Sequence, residues 1–178
     1  MILSKYMKTY ITLIKLNLII LCATCMSGCG IYSFTGASIP PETKTFSVIN
    51  FVNMSQEATP PGITNTLTEE LKDIFLKQTR LSLVQTDGDF AFEGEIRSYI
   101  HGPVAITSND VAAKERLTIS VKVVFKNRYD ETTSFDKTFS QYAEYETTTS
   151  FASAENGLVE EIVEKLVEDI FNAAAANW

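Results

Sequence analysis

Leu117-Thr118-Ile119-Ser120-Val121-Lys122-Val123-Val124-Phe125 is the stretch that specifies secondary structure most clearly in this chain. All of its odd-numbered residues are apolar, whereas its even-numbered residues are hydroxyl side chains, a lysine and one valine. Successive side chains of a strand point to opposite faces of a sheet. The alternation therefore predicts a strand with one face in the core and one polar face.

The segment before this strand predicts a neighbouring strand over residues 90–99, followed by a break at His101-Gly102-Pro103, where a loop is expected. Its apolar side is formed by Phe92, Ile96 and Ile100. Its other side carries Glu93, Glu95, Arg97 and Tyr99. The two carboxylates are expected to pair with basic residues on an adjacent strand.

The segment after the central strand predicts a hairpin partner. Residues 127–133 form a polar turn, and residues 135–145 return as the next strand. Its alternation is imperfect because Lys137 shares the parity of Phe135 and Phe139. We expect a β-bulge near Ser140 to reconcile the pattern.

Two amphipathic helices complete the periodic segments. Residues 62–78 place apolar side chains at helical spacing, and residues 153–176 repeat the pattern with a wider apolar stripe. The opposite side of the second helix is acidic, as expected for a solvated face, and its apolar stripe predicts packing against a sheet.

The order of these elements predicts an α+β fold, with two helices on one face of a roughly four-stranded mixed sheet. Residues 44–53 are apolar at both parities, which favours a central strand covered on both faces. Residues 81–85 predict a short further strand. The uncovered sheet face should carry Ser47, Glu93, Arg97, Lys122, Lys126 and Tyr99, with Ile49 and Phe51 at its centre. A sheet face with apolar residues amid mixed charge often meets a partner.

The N-terminus has the features of a secretory signal over residues 1–28. Three lysines precede a short apolar run, which is far below the ~20 residues of a membrane-spanning helix. Met26-Ser27-Gly28-Cys29 resembles a bacterial lipobox, in which Cys29 is acylated, for example with palmitate, and becomes the first mature residue. The alternative is an ordinary signal peptide with a chance cysteine. Gly30 favours the outer membrane over retention in the inner membrane.

Composition narrows the function of the mature chain. Residues 29–178 make one domain of 150 residues, and 12 basic against 22 acidic residues give it a charge of −10. Such a charge argues against nucleic acid as a partner. Cys29 is the only mature cysteine and His101 the only histidine, so no catalytic, metal or cofactor site is predicted. We therefore do not expect an enzyme.

Several segments in order resemble the LptE family of lipopolysaccharide-assembly lipoproteins, in the form found in Bacteroidetes. They are residues 32–41 (YSFTGASIPP), 44–48 (KTFSV), 92–96 (FEGEI), 117–123 (LTISVKV) and 168–178 (EDIFNAAAANW). The resemblance implies a lipoprotein inside the lumen of the outer-membrane β-barrel LptD. There it would plug the pore, help the barrel assemble and take part in delivering lipopolysaccharide to the outer leaflet.

Four basic residues are candidates for contact with lipopolysaccharide: Arg97, Lys122, Lys126 and Arg128. Phosphorylated lipid A would attract cations held on a firm backbone. The alternative is that they are ordinary exposed strand residues, and the charge of −10 supports that alternative. A different functional class also stays open, a free-standing outer-membrane lipoprotein that binds a lipid or a cell-wall partner in the periplasm.

Overall fold

Two helices and six strand segments make up the part of the chain that the computed structural model describes, residues 39–104 and 114–175. The elements are β1 (Thr45–Val48), β2 (Val52–Asn53), α1 (Ile63–Gln78), β3 (Ser82–Leu83), β4 (Phe90–Pro103), β5 (Lys114–Asn127), β6 (Phe135–Glu146) and α2 (Phe151–Ala175). A single 3-10 turn, Glu131–Thr133, lies in the β5–β6 connection.

The strands form one mixed sheet in the order β3-β1-β4-β5-β6, with β2 also beside β4. The pairs of β1 with β3, β1 with β4 and β2 with β4 are parallel, whereas β4, β5 and β6 form an antiparallel meander. The α+β class and the two helices are confirmed. The sheet has six strand segments in place of roughly four, because the short segment predicted at 81–85 joins it as β3 and the predicted strand 44–53 is divided into β1 and β2.

The core lies between the helices and one face of the sheet. Every odd-numbered residue of β5 from Leu117 to Phe125 is at most 1% exposed, which confirms the predicted parity. Phe75 of α1 joins the layers, with its ring centroid 5.4 Å from that of Phe46, 5.0 Å from Phe92 and 4.9 Å from Phe171. Each fully buried large apolar side chain contributes about 1.5–3 kcal/mol by removal from water. These contacts fasten both helices to the same sheet face.

Phe51 interrupts the first predicted strand. Its side chain is buried in the core, and its backbone N–H donates to Thr68 Oγ1 in α1 at 3.0 Å. The ring fills the space above Gly94, where any Cβ would overlap it. The prediction that Phe51 lies on the uncovered face is wrong, since the chain turns between β1 and β2 to bury this ring.

A bulge lies in β4 and not in β6. The β4–β5 register shifts between Ile96 and Ser98, so the residues beyond it exchange faces. Tyr99 is therefore buried and Ile100 is 54% exposed, which reverses the predicted placement of both.

The predicted bulge near Ser140 is wrong. Strand β6 pairs with β5 without a register shift from Phe135 to Glu146. Because β6 is the outermost strand, Lys137 and Gln141 can share the parity of the buried side chains without being enclosed in the core. Gln141 Nε2 donates to Asp169 Oδ2 of α2 at 2.6 Å, and Lys137 lies 5.2 Å from the Phe135 ring.

Neither helix in the described ranges combines the length and the apolar composition that crossing a bilayer requires.

Candidate binding surface

The sheet face turned away from both helices is the candidate surface, and we call it the open face. It is formed by the residues that alternate with the buried ones on β4, β5 and β6, joined by Ile49 after β1 and Val52 of β2. Hydroxyl groups occupy its centre, where Ser120 Oγ donates to Ser140 Oγ at 3.0 Å. The predicted polar parity of β5 is thus the outer surface of the sheet.

A shallow groove of about 260 Å³ crosses the open face beside β2. Ile49, Val52 and Val124 form its apolar wall, and Glu93, Glu95 and Lys122 lie around it. Ile49 and Val52 are 47% and 52% exposed. Ile49 therefore lies where the sequence predicts it, amid mixed charge, whereas Ser47 is buried under the turn at Gly88, whose N–H donates to Ser47 Oγ at 3.1 Å.

Three of the four predicted cations are brought to the open face, and each is paired there with a carboxylate. Lys122 Nζ lies 3.0 Å from Asp136 Oδ2, Lys126 Nζ lies 3.9 Å from Glu93 Oε1, and Arg97 Nη1 lies 3.3 Å from Glu95 Oε1. The expected pairing of Glu93 across strands is present, whereas Glu95 pairs with Arg97 of its own strand. Exposed ion pairs contribute only about 0–1 kcal/mol each, so an anionic ligand could compete for these cations.

Arg128 lies apart from the other three, at the end of the sheet. Its Nη1 is 3.5 Å from Asp89 Oδ1. Asp89 Oδ2 accepts from the backbone N–H groups of Lys44 and Thr45, each at 3.0 Å, and from Thr45 Oγ1 at 2.9 Å. The Lys44 N–H, with smaller contributions from Thr45 and Arg128, lowers the pKa of Asp89. Asp89 therefore fastens the start of β1 to the start of β4, and Arg128 assists this structural contact.

Sequence reasoning missed a second charged cluster, on β5 and β6. Arg116 donates to Glu144 and lies with its guanidinium carbon 4.0 Å from the centroid of the Tyr142 ring. The hydrogen bonds from Arg116 lower the pKa of Glu144. Only the strand register, which places Arg116 opposite Glu144, could have revealed this cluster.

His101 belongs to β4 and not to a loop, because the strand extends to Pro103. Its ring stacks on Phe151 with centroids 4.0 Å apart, and its Nε2 lies 2.7 Å from Glu115 Oε2 and 2.8 Å from the Tyr145 hydroxyl. Tyr145 also donates to Glu115, which lowers the pKa of that carboxyl, and burial with this contact raises the pKa of Tyr145 to about 12. The cluster ties three strands to the start of α2.

Two further predictions concern metal ligation and the lipidation of Cys29. Within residues 39–104 and 114–175, no group of three or more His, Cys, Asp or Glu residues is arranged to hold a metal ion. The signal segment 1–28 and the predicted lipidation site Cys29 lie outside the described residues.

The fold defines a class of protein: an α+β domain with helices on one sheet face and a charged open face on the other. The sequence profile of the LptE family, described as lipopolysaccharide-assembly, matches residues 43–174. The chain therefore belongs to the LptE lipopolysaccharide-assembly family. The resemblance found in the sequence segments is confirmed.

Solved structures similar to this chain share little sequence with it. A hypothetical protein from Chlamydia trachomatis is 9% identical with a TM-score of 0.51, covering 76% of this chain and 99% of that one. A minor lipoprotein from Acinetobacter baumannii is 16% identical with a TM-score of 0.47, covering 74% and 94%. A lipoprotein from Neisseria meningitidis is 11% identical with a TM-score of 0.39, covering 72% and 99%. The likeness to the chlamydial protein supports a shared fold, and no curated protein sequence matches the chain.

Proposed function

We propose that this protein is the outer-membrane lipoprotein of a lipopolysaccharide translocon and the plug and assembly partner of an LptD-type β-barrel. The observation that carries the proposal is the family match over residues 43–174, which spans both helices and the described strands. Membership in a lipopolysaccharide-assembly family also favours a binding role over an enzymatic one.

The open face suits a barrel lumen. The interior of a transmembrane β-barrel is polar, while its lipid-facing side is apolar. A plug surface should therefore present polar groups with their charges balanced. The ion pairs of Lys122, Lys126 and Arg97 supply this balance, and the groove at Ile49 adds a small apolar contact.

The proposed anchor keeps the domain near the membrane on the periplasmic side. Nine residues lie between Cys29 and Ile39, so ten steps of at most ~3.5 Å each give a fully extended reach of about 35 Å. Each buried CH2 contributes about 0.8 kcal/mol, and two or more acyl chains are needed for stable attachment. Acylated Cys29 would therefore hold the domain where it can enter the barrel.

Direct contact with lipopolysaccharide forms part of the proposal. Lys122, Lys126 and Arg97 share the open face, so phosphate groups could bridge them, while Arg128 would contribute only from the sheet end. Charge-assisted contacts between ammonium or guanidinium groups and phosphate are among the stronger polar interactions. The carboxylates beside these cations lower the expected affinity.

Depletion of the protein from its native cells tests the proposal. We expect surface lipopolysaccharide and the amount of assembled barrel to fall together. Re-expression of the wild-type chain should restore both, whereas Cys29→Ala should restore them only partly, because the domain is no longer held at the membrane. Unchanged surface lipopolysaccharide after depletion would contradict the translocon role and favour a free-standing lipoprotein that binds a lipid or cell-wall partner.

A further inference from the structure

Strand β6 forms one edge of the sheet. It pairs with β5 through 12 successive residue pairs, from Lys114↔Glu146 to Phe125↔Phe135, without a register shift. Among the described residues no strand lies on its other side. A long, regular edge is unusual, because edge strands are commonly short, bulged or covered.

The direction of the backbone groups on β6 follows from contacts at both ends of β5. The Lys114 carbonyl accepts from Val104 N–H, and Arg128 N–H donates to the Asp89 carbonyl. The even-numbered residues of β5 therefore direct their N–H and C=O groups toward β4. Odd-numbered residues therefore bond to β6, since the two sets alternate in an antiparallel ladder. Their partners on β6 are also odd-numbered. The even-numbered residues of β6 thus direct N–H and C=O away from the sheet: Asp136, Thr138, Ser140, Tyr142 and Glu144.

A side chain of α2 already occupies one of these positions. Lys165 Nζ donates to the Tyr142 carbonyl at 3.3 Å and is held by Glu161 Oε1 at 2.6 Å. The ammonium stands where the N–H of an adjacent strand would stand. Within the described ranges, no other side chain donates to the backbone of this central part of the edge, so Thr138 and Ser140 keep outward backbone groups.

We propose that the edge of β6 accepts an extended segment of the barrel polypeptide, which adds a further strand to the sheet. Only an extended backbone repeats its donors and acceptors at the spacing of the outward groups. The strands of a closed barrel are already paired on both sides, so the donor must be a loop or a terminal segment. This assignment of the partner rests on the proposed function.

The side chains beside the edge narrow the chemistry of that segment. Thr138 and Ser140 present hydroxyl groups at its centre, whereas the exposed Asp136 and Glu146 lie near its ends. Cross-strand neighbours favour hydroxyl with hydroxyl and opposite charges. The segment should carry small or hydroxyl residues in the middle and a lysine or arginine near an end, with no proline facing β6.

The experiment isolates the tagged full-length chain from native membranes and measures the recovered barrel. Ser140→Pro removes one outward N–H and no bond to β5, a position where an edge strand tolerates proline. Ser140→Ala is the matched control because it keeps the backbone donor. Both variants lose the Ser140 hydroxyl, so the difference between them reports the backbone N–H alone. We expect Ser140→Pro to recover at least about tenfold less barrel than Ser140→Ala, with an unchanged circular dichroism spectrum.

Equal barrel recovery with Ser140→Pro and Ser140→Ala would overturn the edge assignment while leaving the proposed function standing. Absence of the barrel even with the wild-type chain would overturn the proposed function, and the assignment of the partner with it. These two failures are therefore distinguishable.

If Ser140→Pro does not fold, hydrogen exchange of the backbone amides in the wild-type chain tests whether the β6 edge pairs with the barrel. The amides of Thr138 and Ser140 should exchange fast in the isolated chain and at least about tenfold more slowly in the barrel complex. The amides of Phe139 and Gln141 should be protected in both. Fast exchange of Thr138 and Ser140 in the complex would overturn the proposal, as would their protection in a dimer of the isolated chain, which would assign the edge to a second copy.

Discussion

At the scale of single residues, the fit of Phe51 against Gly94 joins the β1–β2 connection to the middle of the sheet. Gly94→Ala would place a methyl group inside the volume of the Phe51 ring. Overpacking of this kind costs about 1–3 kcal/mol. We expect the free energy of unfolding, measured in urea, to fall by that amount.

Gly102→Ala is the control for this substitution. Gly102 lies on the same strand, and a Cβ added there meets nothing within 4 Å. It should leave the free energy of unfolding nearly unchanged. Equal destabilisation by both substitutions would show that the backbone of β4, and not the Phe51 contact, requires glycine.

Asp89 should make stability dependent on pH in the acid range. Its pKa in the folded state lies below the ordinary value of 3.8, chiefly because the Lys44 N–H bonds to the carboxylate. A group with a depressed folded pKa contributes stability that is present above its unfolded pKa and is lost as pH falls through the folded pKa. The urea concentration at the unfolding midpoint should therefore decrease as the pH is lowered below about 4, where the unfolded carboxyl begins to bind its proton.

Asp89→Asn tests this assignment. The variant should have a lower urea midpoint at pH 7 and a shallower loss of stability between about pH 4 and pH 2, because the titrating group is gone. The same slope in both proteins would assign the acid sensitivity to other carboxylates.

The sequence predicts burial correctly where apolar and polar residues alternate without interruption, as at Ile119 and Val121. It fails where one extra residue in a strand exchanges the buried and exposed positions. The bulge at Arg97 exchanges the sheet faces of Tyr99 and Ile100, and the residue type of Arg97 does not indicate an extra residue in the strand. Phe51 resembles any strand aromatic until the empty space at Gly94 is known. The carboxylate partners of Lys122, Lys126 and Arg128 depend on strand register, which a single sequence does not reveal.

At the scale of elements, β5 should carry the contact with lipopolysaccharide. We expect Lys122→Glu with Lys126→Glu to weaken binding of purified lipopolysaccharide by about threefold to tenfold, since two cations on the open face become anions beside Asp136 and Glu93. A titration at fixed ionic strength measures the change.

The control makes the same change of charge on the other side of the sheet, on α1. Lys72→Glu with Lys77→Glu leaves the open face unaltered. Equal weakening by both pairs would indicate a response to net charge alone. Unaltered binding by the β5 pair would leave its lysines as ordinary exposed strand residues.

The elements differ in how far the sequence determines them. Helices α1 and α2 agree with their predicted ranges within two residues, because each carries a long apolar stripe. Strand β3 lies within the predicted strand 81–85, which is confirmed, whereas β2 has two residues and depends on pairing with β4, so local pattern could not separate it from β1. The order of the strands likewise depends on contacts between distant segments.

At the scale of the whole molecule, the described residues cover only one side of the sheet. Both helices pack on the same sheet face, and within residues 39–104 and 114–175 no element covers the open face or adds a strand to the β6 edge. A free-standing domain of this size gains stability by covering its sheet, whereas a plug needs a surface that the barrel can cover. The asymmetry accords with the role proposed for this family member.

The stoichiometry of the native membrane complex is the decisive measurement for the proposed plug role. The tagged chain is extracted from outer membranes in mild detergent, purified, and resolved by size, and the two polypeptides are quantified. A plug seated in its barrel should co-elute with a large β-barrel protein in about equal molar amount. Elution of the chain alone, or with a barrel present in far smaller amount, would contradict the plug role.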